Sequence, residues 1–202
     1  MSEGLVIFLH GVGSRGADLA PLGEMWRSAL PGTDFAAPDA PFAFDQGSGG
    51  RQWFSVRGVT PANRAERILA ARSAFDGTIA GIVEAHGLTD RLDRVALVGF
   101  SQGSIMALDA LVSGRWPVGA IVAFSGRLAS PEPFAPSTRT RTLLVHGDAD
   151  PVMPVQEGEA ALDGLKRAGV DASLTVLPGL GHTISPQGAS AALDFLSRTI
   201  AA

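Results

Sequence analysis

The chain has 202 residues, of which 46% are hydrophobic and 18% charged, a composition that predicts one folded domain over residues 1–202 and excludes extensive disorder. Its net charge of −4 argues against a general nucleic-acid binder, since such proteins need excess cationic side chains to displace counterions. The chain has no cysteine, which excludes disulfides, thiolate metal sites and a cysteine nucleophile.

The N-terminal residues give no sign of a targeting segment. Residues 1–4 lack a basic region, and the apolar run at 5–9 is far shorter than a signal core or a membrane span. We therefore expect a cytoplasmic protein with no stable membrane anchor.

Short runs of Val, Ile, Leu and Phe recur along the chain, and they are continuous, which is typical of strands buried on both faces of a parallel sheet. Stretches with helical spacing lie between some of them, so the pattern predicts an α/β fold with about six mainly parallel strands flanked by helices. In chain order we predict a strand at 5–9, a weaker strand at 33–37, a helix at 65–83, a strand at 95–100, a helix at 105–112, strands at 120–124, 142–145 and 174–177, and a helix at 189–200.

The glycines are concentrated where strands end. The chain has 25 of them, against about 14 expected from average usage. Ligands of such sheets bind in the loops beyond the carboxyl ends of the strands, so those loops are where we expect chemistry. Four loops stand out, at 10–13, 99–103, 146–151 and 179–182, and the one long irregular segment, 42–60, is expected to adjoin the same edge.

Residues 99–103 read G-F-S-Q-G, which fits the G-x-S-x-G pattern of a sharp turn that exposes a serine hydroxyl between a strand and a helix. A chain of this composition matches the pattern by chance about one time in four, so the match alone is weak. Here the motif follows a predicted strand and precedes a predicted helix. This context favours Ser101 as a nucleophile over an ordinary turn serine.

A serine nucleophile needs a base, and the base needs a carboxylate to orient it. In hydrolases with this turn the chain order is serine, acid, histidine, which leaves His146 and His182 downstream of Ser101. His182 follows the strand after an acidic loop and is the predicted base. His10 and His146 are expected to hold loop geometry. Asp148 and Asp150 both lie in the acidic loop, and spacing alone does not choose between them.

Acyl transfer also needs donors for the negative charge that develops on the carbonyl oxygen. One donor is expected to be the backbone N–H of Gln102, directly after the serine, and the other an N–H of the loop at 10–13, for which Val12 is the candidate. A tight turn that binds no ligand is the alternative for this loop.

Taken together, residues 8–13, 52–54, 99–103, 146–154 and 181–182 resemble the carboxylesterase/phospholipase group of α/β-hydrolases, which includes the acyl-protein thioesterases. The resemblance covers almost the whole chain. It implies that Asp150, directly before Pro151, is the acid and that Asp148 braces the turn. It implies a triad of Ser101, Asp150 and His182, and hydrolysis of carboxylic esters or thioesters with no metal or cofactor. Few residues precede the first strand, so a reduced sheet is expected.

The resemblance also places the segment 42–60 beside the cleft. Trp53 and Phe54, with Phe42 and Phe44, then form an aromatic wall for an acyl chain, or alternatively pack the segment onto the core. Further pocket candidates, which flank the acid and the base, are Met153, Leu180 and Ile184. Arg51 and Arg57 are expected to be surface residues, with binding of an acidic substrate as the less favoured reading.

The function that these features favour is a serine carboxylesterase acting on small to medium carboxylic esters. Acyl thioesters and lysophospholipids are alternative substrates, because the same triad serves all three. A hydrolase-fold binding protein without turnover is disfavoured, since no triad member is missing. The expected partner is a small-molecule ester, and the sequence leaves the oligomeric state open, a homodimer included.

Overall fold

A computed structural model of the protein describes residues 3–200. Its centre is a six-stranded sheet in which every pairing is parallel, with the strand order β2-β1-β5-β6-β7-β8. The six strands are β1 (Gly4–Leu9), β2 (Thr33–Ala36), β5 (Val95–Phe100), β6 (Ala120–Phe124), β7 (Arg141–Gly147) and β8 (Ala172–Leu177). A separate antiparallel pair joins β3 (Phe42–Ala43) and β4 (Arg51–Gln52).

Five α-helices cover the sheet. Buried side chains of α2, α3 and α4 share one apolar cluster, and those of α1 and α5 share the other, so helices lie on both faces. The helices are α1 (Ala20–Trp26), α2 (Arg64–Ala85), α3 (Gln102–Val112), α4 (Val155–Arg167) and α5 (Pro186–Ser197).

The strand β1 shows why the central runs are continuously apolar. All six of its residues are buried. Because successive side chains of a strand point to opposite faces, Leu5, Ile7 and Leu9 join the first cluster while Val6 and Phe8 join the second. A strand covered on both sides has no solvent-facing position, so polar residues do not alternate along it.

The predicted α/β fold with about six parallel strands is confirmed. Two helices, α1 and α4, were not expected from the sequence, and the last helix begins at Pro186, three residues before the predicted start. The segment 42–60 contains the short pair β3 and β4 rather than irregular chain alone. Within residues 3–200, no helix is long and apolar enough to cross a bilayer.

A buried ion network joins α2 to α3. The carboxylate of Asp109, which is fully buried, accepts hydrogen bonds from Nε and Nη2 of Arg72 at 2.9 and 2.8 Å and from Nη1 of Arg115 at 3.0 Å. Burial would raise the pKa of Asp109, but the hydrogen bonds and positive charges hold it below its usual range. Arg115 also donates to Asp76, so two acidic groups share its charge.

We expect Arg72→Met to lower the free energy of unfolding by about 2 kcal/mol, because one cation of a buried network is lost while Arg115 remains. Urea denaturation measures the change. The matched control is Arg91→Met, which removes an exposed arginine paired with Asp93 and should give no measurable difference. Equal losses in the two variants would show that the buried network adds nothing beyond a surface pair.

Candidate active site

The turn between β5 and α3 presents Ser101. Its backbone has φ 51° and ψ −112°, a left-handed conformation that residues other than glycine rarely adopt. Its N–H donates to the carbonyl of Phe124 in the neighbouring strand β6, at 3.0 Å, and this bond helps to hold the turn. The side chain therefore projects at the carboxyl edge of the sheet, beside the start of α3.

Gly99 and Gly103, the two glycines of the motif, are required because backbone atoms of other residues lie where a Cβ would be. A Cβ at Gly103 would lie 2.0 Å from the carbonyl oxygen of Leu9, at the end of β1. A Cβ at Gly99 would lie 2.4 Å from the backbone nitrogen of Ser104. Real Cβ atoms do not approach backbone this closely, so each position excludes every other residue while the turn keeps its shape.

Three side chains form a hydrogen-bonded chain at this edge. His182 Nδ1 lies 2.7 Å from Asp150 Oδ2, and His182 Nε2 lies 3.0 Å from Ser101 Oγ. An ionised carboxylate only accepts, so Nδ1 carries the ring hydrogen and Nε2 is left to accept from the serine hydroxyl. The structure thus brings together the three predicted residues from the loops after β5, β7 and β8.

The two candidate acids of the sequence are separated by their contacts. Asp150 Oδ1 accepts from the N–H groups of Val152 and Met153 at 2.9 and 2.8 Å, while Oδ2 faces His182. Burial opposes its ionised form, yet these hydrogen bonds outweigh burial and lower the pKa of Asp150. Asp148 instead accepts from Gly179 N–H at 2.6 Å and braces the turn.

His10 and His146 hold loops, as expected. The N–H of Ala40 donates to His10 Nε2 at 2.9 Å, so Nδ1 carries the hydrogen and donates to the carbonyl of Gly11 at 2.7 Å. Burial lowers the pKa of His10 and keeps the ring neutral. His146 Nε2 lies 2.7 Å from the carbonyl oxygen of Met153, beneath the acidic loop.

The two residues predicted to supply oxyanion donors, Val12 and Gln102, line the same cavity as Ser101. Gln102 is the first residue of α3, and the first N–H groups of a helix have no partner within it. Val12 belongs to the loop after β1 and lines the same cavity as Ser101 and Gln102. Two backbone hydrogen bonds to Arg51 of β4 fix this loop. Gly13 N–H donates to Arg51 O at 2.8 Å, and Arg51 N–H donates to Ser14 O at 2.9 Å.

The side chain of Gln102 ties the motif to the segment after β4. Its Oε1 accepts from Trp53 N–H at 2.8 Å, and its Nε2 donates to Phe54 O at 2.8 Å. The indole N–H of Trp53 donates to His10 O at 2.9 Å. One buried amide and one buried indole therefore link the nucleophile turn, the β4 segment and the loop after β1.

Two cavities flank the hydrogen-bonded chain and share no lining residue. One, of about 170 Å³, is lined by Ser101, Gln102 and Val12 together with mostly apolar side chains. The other, of about 570 Å³, is lined by His182, Phe100 and mostly apolar side chains of the α1 region and of the residues that lead into α5, with Asp18 among its few polar residues. The first cavity also includes Phe54, Val56, Val59, Arg64, Ile105, Arg127, Val152 and Met153, and the second includes Leu19, Pro21, Leu22, Met25 and Ile184.

The structure corrects part of the predicted pocket. Phe54 and Met153 line the cavity at Ser101, and Ile184 lines the one at His182. The prediction that Trp53 forms part of an aromatic wall is wrong, because its side chain has no exposed surface and packs against Phe75. Leu180 lines neither cavity.

Leu180 has a structural place instead: its carbonyl accepts from Ala149 N–H at 3.1 Å and joins the acid loop to the base loop. Phe42 lines neither cavity but a third one, which it shares with Phe54, and Phe44 packs over Gly13. Arg51 donates to the carbonyls of Ala40 and Pro41, so its guanidinium is used within the segment.

Sequence reasoning missed the arginines of the serine cavity and the α1 side chains of the histidine cavity. Leu19, Leu22 and Met25 recur at three-residue spacing, which was a usable signal for a short helix. Arg127 follows β6 at the same edge of the sheet, three residues after Phe124, the last residue of the strand. Within residues 3–200, no group of three or more His, Asp or Glu side chains is placed to hold a metal ion.

The family described as Phospholipase/Carboxylesterase matches residues 2–200. The chain belongs to this family. It is 34% identical over 200 residues to the esterase YpfH of Escherichia coli, covering 98% of this chain and 84% of that one. It is 29% identical over 214 residues to acyl-protein thioesterase 1 of Neurospora crassa, covering 96% and 86%.

Solved structures agree with the family assignment. The crystal structure of esterase PE8 has a TM-score of 0.87 and 37% identity, covering 98% of this chain and 93% of that one. SOBER1 of Arabidopsis thaliana has a TM-score of 0.80 and 26% identity, covering 96% and 98%. As an α/β-hydrolase of the phospholipase/carboxylesterase family, the protein is a carboxylic ester hydrolase.

The close approach at Gly103 predicts that Gly103→Ala lowers the free energy of unfolding by more than about 3 kcal/mol, beyond ordinary overpacking, because the obstacle is backbone. The control is Gly77→Ala in α2, where a Cβ meets nothing within 4 Å. It should stabilise the protein by about 0.5–1 kcal/mol through helix propensity. Thermal unfolding compares the two, and similar effects would contradict the proposed constraint.

Proposed function

We propose that the protein is a serine carboxylesterase in which Ser101 is the nucleophile, His182 the general base and Asp150 the residue that orients it. The observation that supports this best is the chain of hydrogen bonds from Asp150 through His182 to the Ser101 hydroxyl, at 2.7 and 3.0 Å. This geometry suits proton removal from the serine as it attacks a carbonyl carbon.

In the first half-reaction Ser101 Oγ bonds to the carbonyl carbon while its proton passes to His182 Nε2. The carbonyl oxygen becomes an oxyanion and accepts from the N–H groups of Val12 and Gln102. His182 then donates its proton to the ester oxygen, the bond from carbon to that oxygen breaks, and the alcohol leaves. Water attacks the acyl-enzyme by the same route and releases the acid, which restores the serine hydroxyl.

Asp150 acts through His182. Its lowered pKa keeps it ionised, so it fixes the tautomer with Nδ1 protonated and stabilises the imidazolium that forms during attack. The N–H groups of Val152 and Met153 occupy its other oxygen, which fixes the direction in which the carboxylate points.

We infer that each of the two cavities holds one half of the ester. His182 protonates the leaving oxygen, so the alcohol belongs on its side, in the apolar cavity of about 570 Å³. The acyl group then occupies the cavity that contains Ser101 and the oxyanion donors. With a volume of about 170 Å³, this cavity suits a short acyl group.

Acyl thioesters are the second candidate substrate. The relative from Neurospora crassa is named an acyl-protein thioesterase, and a thiol leaving group would occupy the same place beside His182. Comparing kcat/KM for an ester and a thioester with the same acyl and leaving groups ranks the two. A thioester preference would place the protein with the thioesterases and leave the triad assignment intact.

The triad predicts that Ser101→Ala and Asp150→Asn each lower kcat by about three orders of magnitude or more on p-nitrophenyl butyrate. Asp148→Asn is the matched control, because it changes the neighbouring carboxylate that contacts Gly179 and should keep activity close to wild type. Circular dichroism checks that each variant folds. Activity of Ser101→Ala within tenfold of wild type would refute the mechanism.

The cavity of about 170 Å³ at Ser101 is called the acyl cavity below. Its small volume predicts an optimum among short p-nitrophenyl esters, with kcat/KM falling towards dodecanoate. Phe54→Ala enlarges the cavity and should move the optimum to longer chains. The control is Phe42→Ala, since Phe42 does not line this cavity and its loss should leave the optimum in place. A flat profile in the wild type would show that this cavity does not hold the acyl group.

A further inference from the structure

The acyl cavity is apolar apart from the serine turn and two arginines. Arg64 is the first residue of α2, and Arg127 follows β6, so they reach the cavity from different elements. Most of the remaining wall is formed by Phe54, Val56, Ile105 and other apolar side chains. Two guanidinium groups at the wall of a small apolar cavity need a physical reason, because burying charge costs free energy.

Arg127 is held in place. Its side chain is only 12% exposed, its Nε donates to Met153 Sδ at 2.8 Å, and its Nη2 lies 3.2 Å from Glu157 Oε1. Burial lowers the pKa of Arg127, the carboxylate of Glu157 opposes that effect, and the positive charge of Arg64 adds to it. The two guanidinium groups are therefore close enough to repel each other.

Arg64 differs from the arginines around it. Arg64 is half-buried as a residue, and within residues 3–200 its guanidinium makes no hydrogen bond and no ion pair. Arg51 and Arg67, by contrast, donate to backbone carbonyls of the same region. Glu157 balances one of the two cavity charges and Asp150 is engaged with His182, so one positive charge at this wall remains uncompensated.

We propose that the acyl cavity selects acyl groups that end in a carboxylate, which binds between Arg64 and Arg127. The substrates are then monoesters of short dicarboxylic acids, with the ester carbonyl at Ser101 and the free carboxylate at the arginines. Guanidinium groups suit this ligand, since their planar donors match the two carboxylate oxygens. This inference rests on the proposed function and adds to it the class of acyl group that the enzyme accepts.

The test compares monobenzyl glutarate with benzyl glutaramate at pH 7, where the two esters differ by a terminal carboxylate against a neutral carboxamide of similar shape. Benzyl alcohol is a poor leaving group, so intramolecular attack by the free carboxylate does not obscure the enzyme rate. We expect the wild type to favour the glutarate monoester by at least tenfold in kcat/KM. The monobenzyl esters of succinate and adipate then locate the preferred chain length.

Arg64→Gln should lower this preference at least fivefold, and Arg64→Glu should reverse it. The matched control is Arg67→Gln, three residues further along α2, which removes the same charge outside the acyl cavity and should leave the preference unchanged. Because the preference is a ratio of two rates of one preparation, partial loss of folded protein cancels.

The outcomes separate this inference from the proposed function. If neither ester is hydrolysed in a manner that depends on Ser101, the proposed function itself fails. If benzyl glutaramate is hydrolysed and the wild type shows no preference for the glutarate monoester, only the acidic acyl group is refuted. If Arg67→Gln lowers the preference as much as Arg64→Gln, the effect comes from overall charge, and the binding site is refuted.

Discussion

The contact between Gly103 and the end of β1 is the constraint on which the site depends. With only 2.0 Å between a hypothetical Cβ there and the Leu9 carbonyl, α3 starts directly against the central strands. That approach forces Ser101 into its left-handed turn and sets the first N–H groups of α3 beside the loop after β1. The neighbouring loops can then supply a base and an acid at hydrogen-bond distance.

Hydrogen bonds of the Gln102 and Trp53 side chains hold the Ser101 turn against the neighbouring segments. The amide of Gln102 binds the backbone of Trp53 and Phe54, and the indole of Trp53 binds the carbonyl of His10. The segment that contains β4 is thereby fixed to both the nucleophile turn and the loop at 10–13. Its polar backbone is satisfied in the interior, as buried N–H and C=O groups require.

The sequence predicted the six strands of the main sheet, Ser101 and His182 because each is signalled locally, by an apolar run or by a glycine-rich turn. The choice of Asp150 over Asp148 needed the family resemblance, since both lie in one loop. The helix α1 was not predicted because it has only seven residues and includes Pro21 and Gly23. Trp53 was misassigned because its partners, His10 and Phe75, are distant in sequence. Arg127 was missed because no recognised motif marks the loop after β6, although the parallel sheet brings that loop to the same edge.

The separate linings of the two cavities have an evolutionary consequence. Since the walls beside Ser101 and beside His182 share no residue, a substitution in one would, under the proposed placement of the acyl group and the alcohol, alter selection for one half of the ester and leave the other wall untouched. Acid and alcohol preferences can therefore diverge independently among descendants of such a chain. A single scaffold can explore many pairings of the two halves by changing one wall at a time.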